Sequence, residues 1–305
     1  NKIGVVYDSG GKFDKSFNEL AFKTAERVKN ELGWEMVEFE SSNDAQIEQG
    51  MRKIADRGAT MIVGMGFAQA DAVAAVSADY PDIKFVAVDV CWLDDPNNNI
   101  YQACYKEHEG SFLVGMMAAM ASKTGTIGFV GGMDIPLIRK FQGGYEQGAQ
   151  YVNPDIEVLA NMTGTTNEAW NNPTKGAELT KTQIDGGADV VYQAAGGTGI
   201  GVLQAAADAG IMGIGVDANQ NWMHPGNMLT SMLKRLDLTI FAQAEAIAAG
   251  TFEPSGQFLS LGLAEGGVGY ATEDGMVTDE MAAAADAAAA DIASGAIVVA
   301  DWSQE

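Results

Sequence analysis

Histidine and cysteine are nearly absent from this chain, which has 305 residues, two histidines and two cysteines. Two cysteines are too few for a disulfide framework or a zinc site. His108 and His224 stand near no Ser or Cys in a nucleophile pattern, and no His-Glu-x-x-His spacing occurs, so triad and zinc-protease chemistry find no support. No run of about 20 apolar residues appears, which excludes a membrane-spanning helix. Basic residues are also scarce: 18 Lys and Arg face 41 Asp and Glu, for a formal net charge of -23. Such a field repels nucleic acid and anionic membrane surfaces, and no nucleic-acid partner is expected. The chain starts at Asn1 and enters a strand at once, without the basic, apolar and small-residue order of a secretory leader. A cytosolic protein and one whose leader has been removed both fit that start.

Apolar residues make up 47% of the chain, enough for a proper core in one large α/β domain or two lobes of roughly 120 to 150 residues. Apolar runs of four to six residues alternate with stretches of helical period, the pattern of a parallel sheet joined by crossover helices. Strands are predicted at "IGVVYD", "EMVEFE", "TMIVGM", "FVAVDV", "NIYQAC", "TIGFVGG", "EVLANM", "DVVYQA", "MGIGVD" and "NMLTSML". Helices are predicted near 16–31, 45–57, 68–79, 108–122, 136–152, 174–186, 199–209 and 236–249. The tail adds a Gly-rich stretch and "MAAAADAAAADIA", a strong helix former read as a surface helix packed on a lobe. Cys91 and Cys104 fall at the ends of neighbouring predicted strands. Two reduced core thiols are the favoured reading and a single bridge in an oxidising compartment the alternative.

A weak duplication runs through this pattern. "RGATMIVGMGFAQADAVAAVSADYPDIKFVAVDV" parallels "GGADVVYQAAGGTGIGVLQAAADAGIMGIGVDA": Gly-Ala before a strand, a glycine-containing loop, an Ala-rich helix and a strand ending Val-Asp. Two similar lobes are therefore expected, meeting near Ser122 to Gly125, where "SKTG" interrupts a helix.

Ligands of open parallel sheets sit beyond the carboxyl ends of the strands, so polar residues there are the first candidates. Three strands end in aspartate, at Asp8, Asp89 and Asp217. Two others end in glycine turns, "GMGFA" containing Gly66 and "AAGGTG" containing Gly196 and Gly197. Each aspartate would serve equally to cap a helix or start a turn. "SFNE" reads as a capping box in which Ser16 and Glu19 satisfy backbone groups. That accounts for neither Phe13, Phe17 nor Asn18, and an aromatic ring in the first turn beside a cleft suits stacking on a flat ligand. Other motifs fail on inspection. "GGTGIG" lacks the dinucleotide spacing, "SGGKF" has no Ser or Thr after Gly-Lys, and "DVCWLDDPNNN" reads as a solvated loop. Lys234, in "TSMLKR", would be a surface lysine or a cation reaching a ligand hydroxyl or a nearby aspartate.

"DKSFN" (14–18), "HEGSFLVGMMAA" (108–119), "IGFVGGMDIPLIRKFQGGYEQGA" (127–149), "AAGGTGIGV" (194–202), "IGVDANQ" (214–220) and "TSMLKR" together closely resemble the basic membrane protein family, in order from Ile3 to about Phe241. That family comprises substrate-binding components of ABC importers, and the branch resembled binds purine nucleosides. The resemblance implies a type I periplasmic-binding-protein fold, two doubly wound α/β lobes joined by a hinge. The lobes expected are 1–121 plus about 235–305, and 122–234, with the ligand cleft between them. By motif, the base-stacking aromatic is Phe17, with Asn18 beside it. Asp8 follows the first strand, Asp89 is the acid that bonds the base, and the second stacking aromatic falls at Trp170, where relatives carry Phe. Gly196 or Gly197, Asp217 and Lys234 map to ribose contacts, and Gly66 stays a ligand-binding candidate from its strand-end turn alone.

The resemblance further implies a monomeric, periplasmic bacterial receptor that delivers its ligand to a membrane permease, with no cofactor, no metal and no catalysis. No lipid-bearing cysteine stands at its start. A purine stacked between Phe17 and Trp170 gains roughly 1 to 3 kcal/mol per face. Acids around it disfavour phosphate, so a nucleoside is expected ahead of a nucleotide. A free base or a sugar is the alternative ligand. A nucleoside hydrolase would need adjacent paired acids after its first strand, where "DSGGKFD" stands, and a DNA-binding regulator would need a helical segment ahead of Lys2.

Overall fold

The structure, a computed structural model, describes every residue except Ser42 and Glu305. In chain order the elements are β1 (Lys2–Tyr7), α1 (Phe17–Leu32), β2 (Glu35–Glu40), α2 (Ile47–Asp56), β3 (Met61–Met65), α3 (Ala70–Asp79), β4 (Lys84–Val88) and β5 (Ile100–Tyr105). There follow α4 (Glu107–Ala121), β6 (Thr126–Met133), α5 (Pro136–Val152), β7 (Glu157–Gly164), α6 (Pro173–Asp185), β8 (Val190–Ala194), α7 (Gly199–Asp208), β9 (Met212–Asp217) and β10 (Met228–Lys234). The chain ends with α8 (Leu236–Ala249), β11 (Ser260–Leu261), β12 (Val268–Tyr270) and α9 (Asp279–Ser294). Every strand and helix expected from periodicity is present, with ends shifted by about two residues or fewer.

Two six-stranded sheets organise the described residues, in the orders β2-β1-β3-β4-β5-β11 and β7-β6-β8-β9-β10-β12. The two orders follow one pattern through their first five strands, as the duplication predicts: β3-α3-β4 in one sheet stands where β8-α7-β9 stands in the other. All pairings are parallel except β10 with β12. Central strands are continuous apolar runs because both faces are covered by helices; all five residues of β3 are buried. The edge strand β2, "EMVEFE", instead alternates, and its exposed acids discourage further pairing.

The chain divides into two compact units. The first comprises Asn1–Phe13, Asn18–Tyr105 and Leu236–Leu261; the second comprises Asp14–Phe17, Lys106–Arg235 and Gly262–Glu305. This corrects the expected boundaries in three places. The division after β5 falls at Tyr105, not near Ser122. Helix α4 belongs with the second unit because it meets α5 backbone to backbone: a Cβ at Gly115 would strike the Tyr145 carbonyl, and one at Gly144 or Gly148 would strike the backbone of His108 or Phe112. "SKTG" is the turn from α4 into β6, tied down by Asp189, which accepts from the Ser122 hydroxyl at 2.7 Å and the Lys123 N–H at 2.6 Å.

The tail is the second correction. α9 packs on α4, burying Met281, Ala285, Ala288 and Ile292, and the Trp302 ring lies on Gly143 of α5, so the tail joins the second unit. Third, the four residues Asp14–Phe17 leave the first unit for the second and return, a crossing that no sequence signal marks.

Cys91 and Cys104 form a disulfide, overturning the favoured reading of reduced thiols. The register of β4 on β5 sets Val88 opposite Ala103. The chain just beyond Val88 is thereby held beside Cys104, with the two cysteine Cα atoms 5.7 Å apart.

Candidate functional site

In the first unit the candidates gather at the carboxyl ends of β1, β3 and β4. Asp8 ends β1, and its Oδ1 accepts from the Gly10 N–H at 2.8 Å and the Asn18 side-chain amide at 2.6 Å. Asn18 Oδ1 in turn accepts from the Asp8 N–H at 3.2 Å, so the two side chains lock the start of α1 to the end of β1. Asn18 is fully buried. Gly66, past the end of β3, has φ +91°, a value that suits glycine, and donates its N–H to the Val88 carbonyl at 3.1 Å. Asp89 is the next residue along β4 from Val88.

In the second unit the candidates form two groups. Trp170 sits in a short 3-10 turn (Asn167–Trp170) with its indole laid on Gly132 of β6, where a Cβ would run into the ring. A Cβ at Gly196 would come within 3.5 Å of the Trp170 carbonyl, so the Gly196–Gly197 turn and the Trp170 turn are neighbours. Thr198 binds them together: its hydroxyl donates to the Ala169 carbonyl and accepts from the Asn172 N–H, both at 2.7 Å.

The second group is Phe17, Asp217 and Lys234. Phe17 opens α1 and is only 9% exposed, with Lys234 Nζ 5.3 Å from its ring centroid. Asp217 is the last residue of β9. The Ser16 hydroxyl lies 2.9 Å from Asp217 Oδ2 and 3.0 Å from the Val216 carbonyl, sharing one proton between two acceptors. Ser16 thus ties the crossing segment to β9, a role outside the capping box expected of it. Gln220 adds a second tie, donating to the Lys15 carbonyl at 3.1 Å while its Oε1 accepts from the Val216 N–H at 2.9 Å.

Asp89 and Asp217 hold equivalent places in the two units and share an uncommon backbone. Their φ angles are +62° and +65°, and each is 7% exposed. Left-handed backbone costs a residue other than glycine roughly 1 to 3 kcal/mol, least for Asp and Asn, and such strain gathers at functional sites. A helix cap or an ordinary turn needs neither the burial nor the positive φ.

Lys234 is 2% exposed and forms an ion pair with Glu107, at 2.9 Å to Oε1. Glu107, fully buried at the start of α4, also receives Lys140 on Oε2 at 3.1 Å. Burial by itself would raise the Glu107 pKa, but Lys234 and Lys140 outweigh it and hold the carboxyl below its ordinary range. Lys140 shows the complement: burial works to lower its pKa, while Glu107 and then Asp301, 3.9 Å away, raise it above the ordinary value. Sequence reasoning missed Glu107 and Lys140. Both lie inside motifs that carry the resemblance or directly beside one, and an acid opening an otherwise apolar helix just after a strand was the one local signal. Among the described residues no group of three or more His, Cys, Asp or Glu could hold a metal ion.

Two repeated sheets and ligand-type residues at the strand ends agree with the match of residues 1–302 to the family described as ABC transporter substrate-binding protein PnrA-like. The chain belongs to this family. It is 34% identical over 286 residues to basic membrane protein A2 of Borrelia garinii subsp. bavariensis, covering 92% of this chain and 82% of that one. It is 31% identical to the ABC transporter nucleoside-binding protein BmpA of Lactococcus lactis subsp. cremoris, covering 98% and 88%. Among solved structures, an ABC transporter solute-binding protein from Aeropyrum pernix matches with a TM-score of 0.87 and 27% identity over 98% of this chain and 93% of that one. The fold is thus the type I periplasmic-binding-protein fold. This PnrA-like chain is a solute-binding protein of an ABC importer, a binding protein and not an enzyme, with a small-molecule ligand and a membrane permease as partners.

Proposed function

We propose that the ligand is a purine nucleoside, captured in the periplasm and handed to the permease. The observation that carries this reading is the pair of buried aspartates at equivalent strand ends, Asp89 and Asp217, each kept in left-handed backbone. Carboxylates suit the N–H edge of a purine and the hydroxyls of a ribose, and each such charge-assisted bond contributes about 1.5 to 3 kcal/mol. The broad indole of Trp170, lying on Gly132 beside the Gly196 turn, suits a flat heterocycle, and Phe17 with Lys234 is the second aromatic group. The Lactococcus relative, named a nucleoside-binding protein, supports the same ligand class. In this reading the residues that bind the nucleoside are drawn from Asp8, Asn18, Gly66, Asp89, Phe17, Trp170, Gly196, Gly197, Asp217 and Lys234. The disulfide supports an oxidising compartment.

The test is calorimetric titration of the purified protein with inosine, guanosine, adenosine, hypoxanthine and ribose. Binding of at least one purine nucleoside, with little response to base or sugar alone, is expected. A response to sugars alone, or to bases alone, replaces the reading with the corresponding ligand.

A further inference from the structure

The residues around Asp89 show how its strained backbone is kept in place. Val88, before it, accepts the Gly66 N–H on the β3 side. Asp89 itself donates its N–H to the Ala103 carbonyl at 2.8 Å on the β5 side, extending the β4–β5 ladder by one residue. Two residues later Cys91 is bonded to Cys104, the residue after Ala103. The backbone hydrogen bond and the disulfide therefore close a small ring through residues 89–91 and 103–104, and Asp89 is a member of it. One dipeptide closes the outer side. Phe258 donates its N–H to the Cys91 carbonyl at 2.6 Å, and Cys104 donates its own to the Leu259 carbonyl at 3.1 Å.

The second unit solves the same problem differently. Asp217 has the same φ within a few degrees, yet no covalent link stands near it; the Ser16 hydroxyl grips its carboxylate, and Gln220 grips the preceding residue, Val216. A chain leaving a strand through a left-handed residue needs something to hold it there, because the same residue relaxes to the ordinary regions when released. For Asp89 the bonded Cys91 supplies that restraint.

We infer that the Cys91–Cys104 disulfide is a positioning element of the ligand site: it fixes the left-handed turn that aims the Asp89 carboxylate at the ligand. The inference rests on the nucleoside reading for the identity of that ligand, and on the geometry alone for the restraint on Asp89. Cys91 and Cys104 act through Asp89 and touch no ligand themselves. Ligand affinity then depends on the redox state of a bond that takes no part in recognition.

Two measurements decide it. The first needs no ligand. Dithiothreitol reduces the S–S bond to two thiols and leaves as its own cyclic disulfide, two electrons and two protons passing to the protein. Hydrogen exchange is then compared between the oxidised protein, the reduced protein and a Cys91→Ala/Cys104→Ala variant, with circular dichroism confirming that all three are folded. Faster exchange confined to residues 88–92 and 103–105 is expected. Unchanged exchange of the Asp89 amide overturns the inference whatever the protein binds.

The second measurement is titration with inosine in a cycle of the disulfide variant against Asp89→Asn. Losing the disulfide should weaken binding by about tenfold, the equivalent of one charge-assisted hydrogen bond, and should weaken it far less when Asp89 is already Asn. An equal loss in both backgrounds means that the disulfide acts on the fold at large, and overturns the inference. Failure of the oxidised wild type to bind any nucleoside refutes the ligand reading instead, and the exchange experiment still decides the restraint.

Discussion

Glu107 Oε1 lies 2.9 Å from Lys234 Nζ with both side chains withdrawn from solvent, and its other oxygen holds Lys140 at 3.1 Å. One carboxylate thus bridges two ammonium groups that come from β10 and α5, far apart in the chain. Asp301, 3.9 Å from Lys140, adds the second negative charge. Removing Glu107 leaves two cations facing each other with their main counter-charge gone, and breaking a buried pair on one side costs about 3 to 5 kcal/mol. Glu107→Ala should therefore lower the urea-unfolding free energy by that amount. Glu107→Gln should lower it less, since an amide oxygen still accepts from one ammonium. A loss below about 1 kcal/mol for Glu107→Ala would show that water, not Glu107, solvates the two lysines.

Acid should weaken the fold through His108. Burial, first, lowers its pKa below the ordinary 6.5; Asp301, Glu107 and Glu109 pull it up, and Lys140 pushes it down. The folded state thus binds a proton less readily than the unfolded chain. The His108 contribution is present in full above 6.5 and falls away as pH drops through the folded pKa. The unfolding free energy should decline on acidification below about pH 6.5, by at most about 1.4 kcal/mol per unit for this one group. His108→Gln should flatten that decline, measured by denaturant unfolding at pH 7.5, 6.5 and 5.5.

Trp170→Ala should weaken nucleoside binding by on the order of tenfold or more, the value of one stacked face. Since the ring covers Gly132, Gly132→Ala drives a methyl group into it and should displace the indole. The expected result is a loss of affinity similar to that of Trp170→Ala, with a change in Trp fluorescence. Unaltered inosine affinity in Trp170→Ala removes the ring from the site.

Ser16→Ala removes the hydroxyl that lies 2.9 Å from Asp217 Oδ2. A hydrogen bond to a charged group contributes about 1.5 to 3 kcal/mol, and the loss should appear in thermal unfolding and again in nucleoside affinity, because Asp217 loses one of its restraints. Ser16→Thr keeps the hydroxyl and should recover part of both.

The sequence by itself determined the layered α/β architecture, because burial on both faces of a parallel strand demands uninterrupted apolar residues, and crossover helices impose their own period between them. It also showed the doubling of the chain and the aspartates at the ends of β1, β4 and β9, since a strand end is marked locally by the change from apolar to polar residues. Tertiary structure alone decided the rest. The short strands β11 and β12 form because a neighbouring edge offers hydrogen bonds, not because their own residues demand it. The tail joins the second unit through α4 and α5. The choice between disulfide and thiols depended on how β4 and β5 align. Lys234 pairs with Glu107, a residue 127 positions earlier in the chain, which nothing in the residues around either of them announces. Electrostatic pairing of that kind follows distance in space, about which spacing along a sequence carries no information.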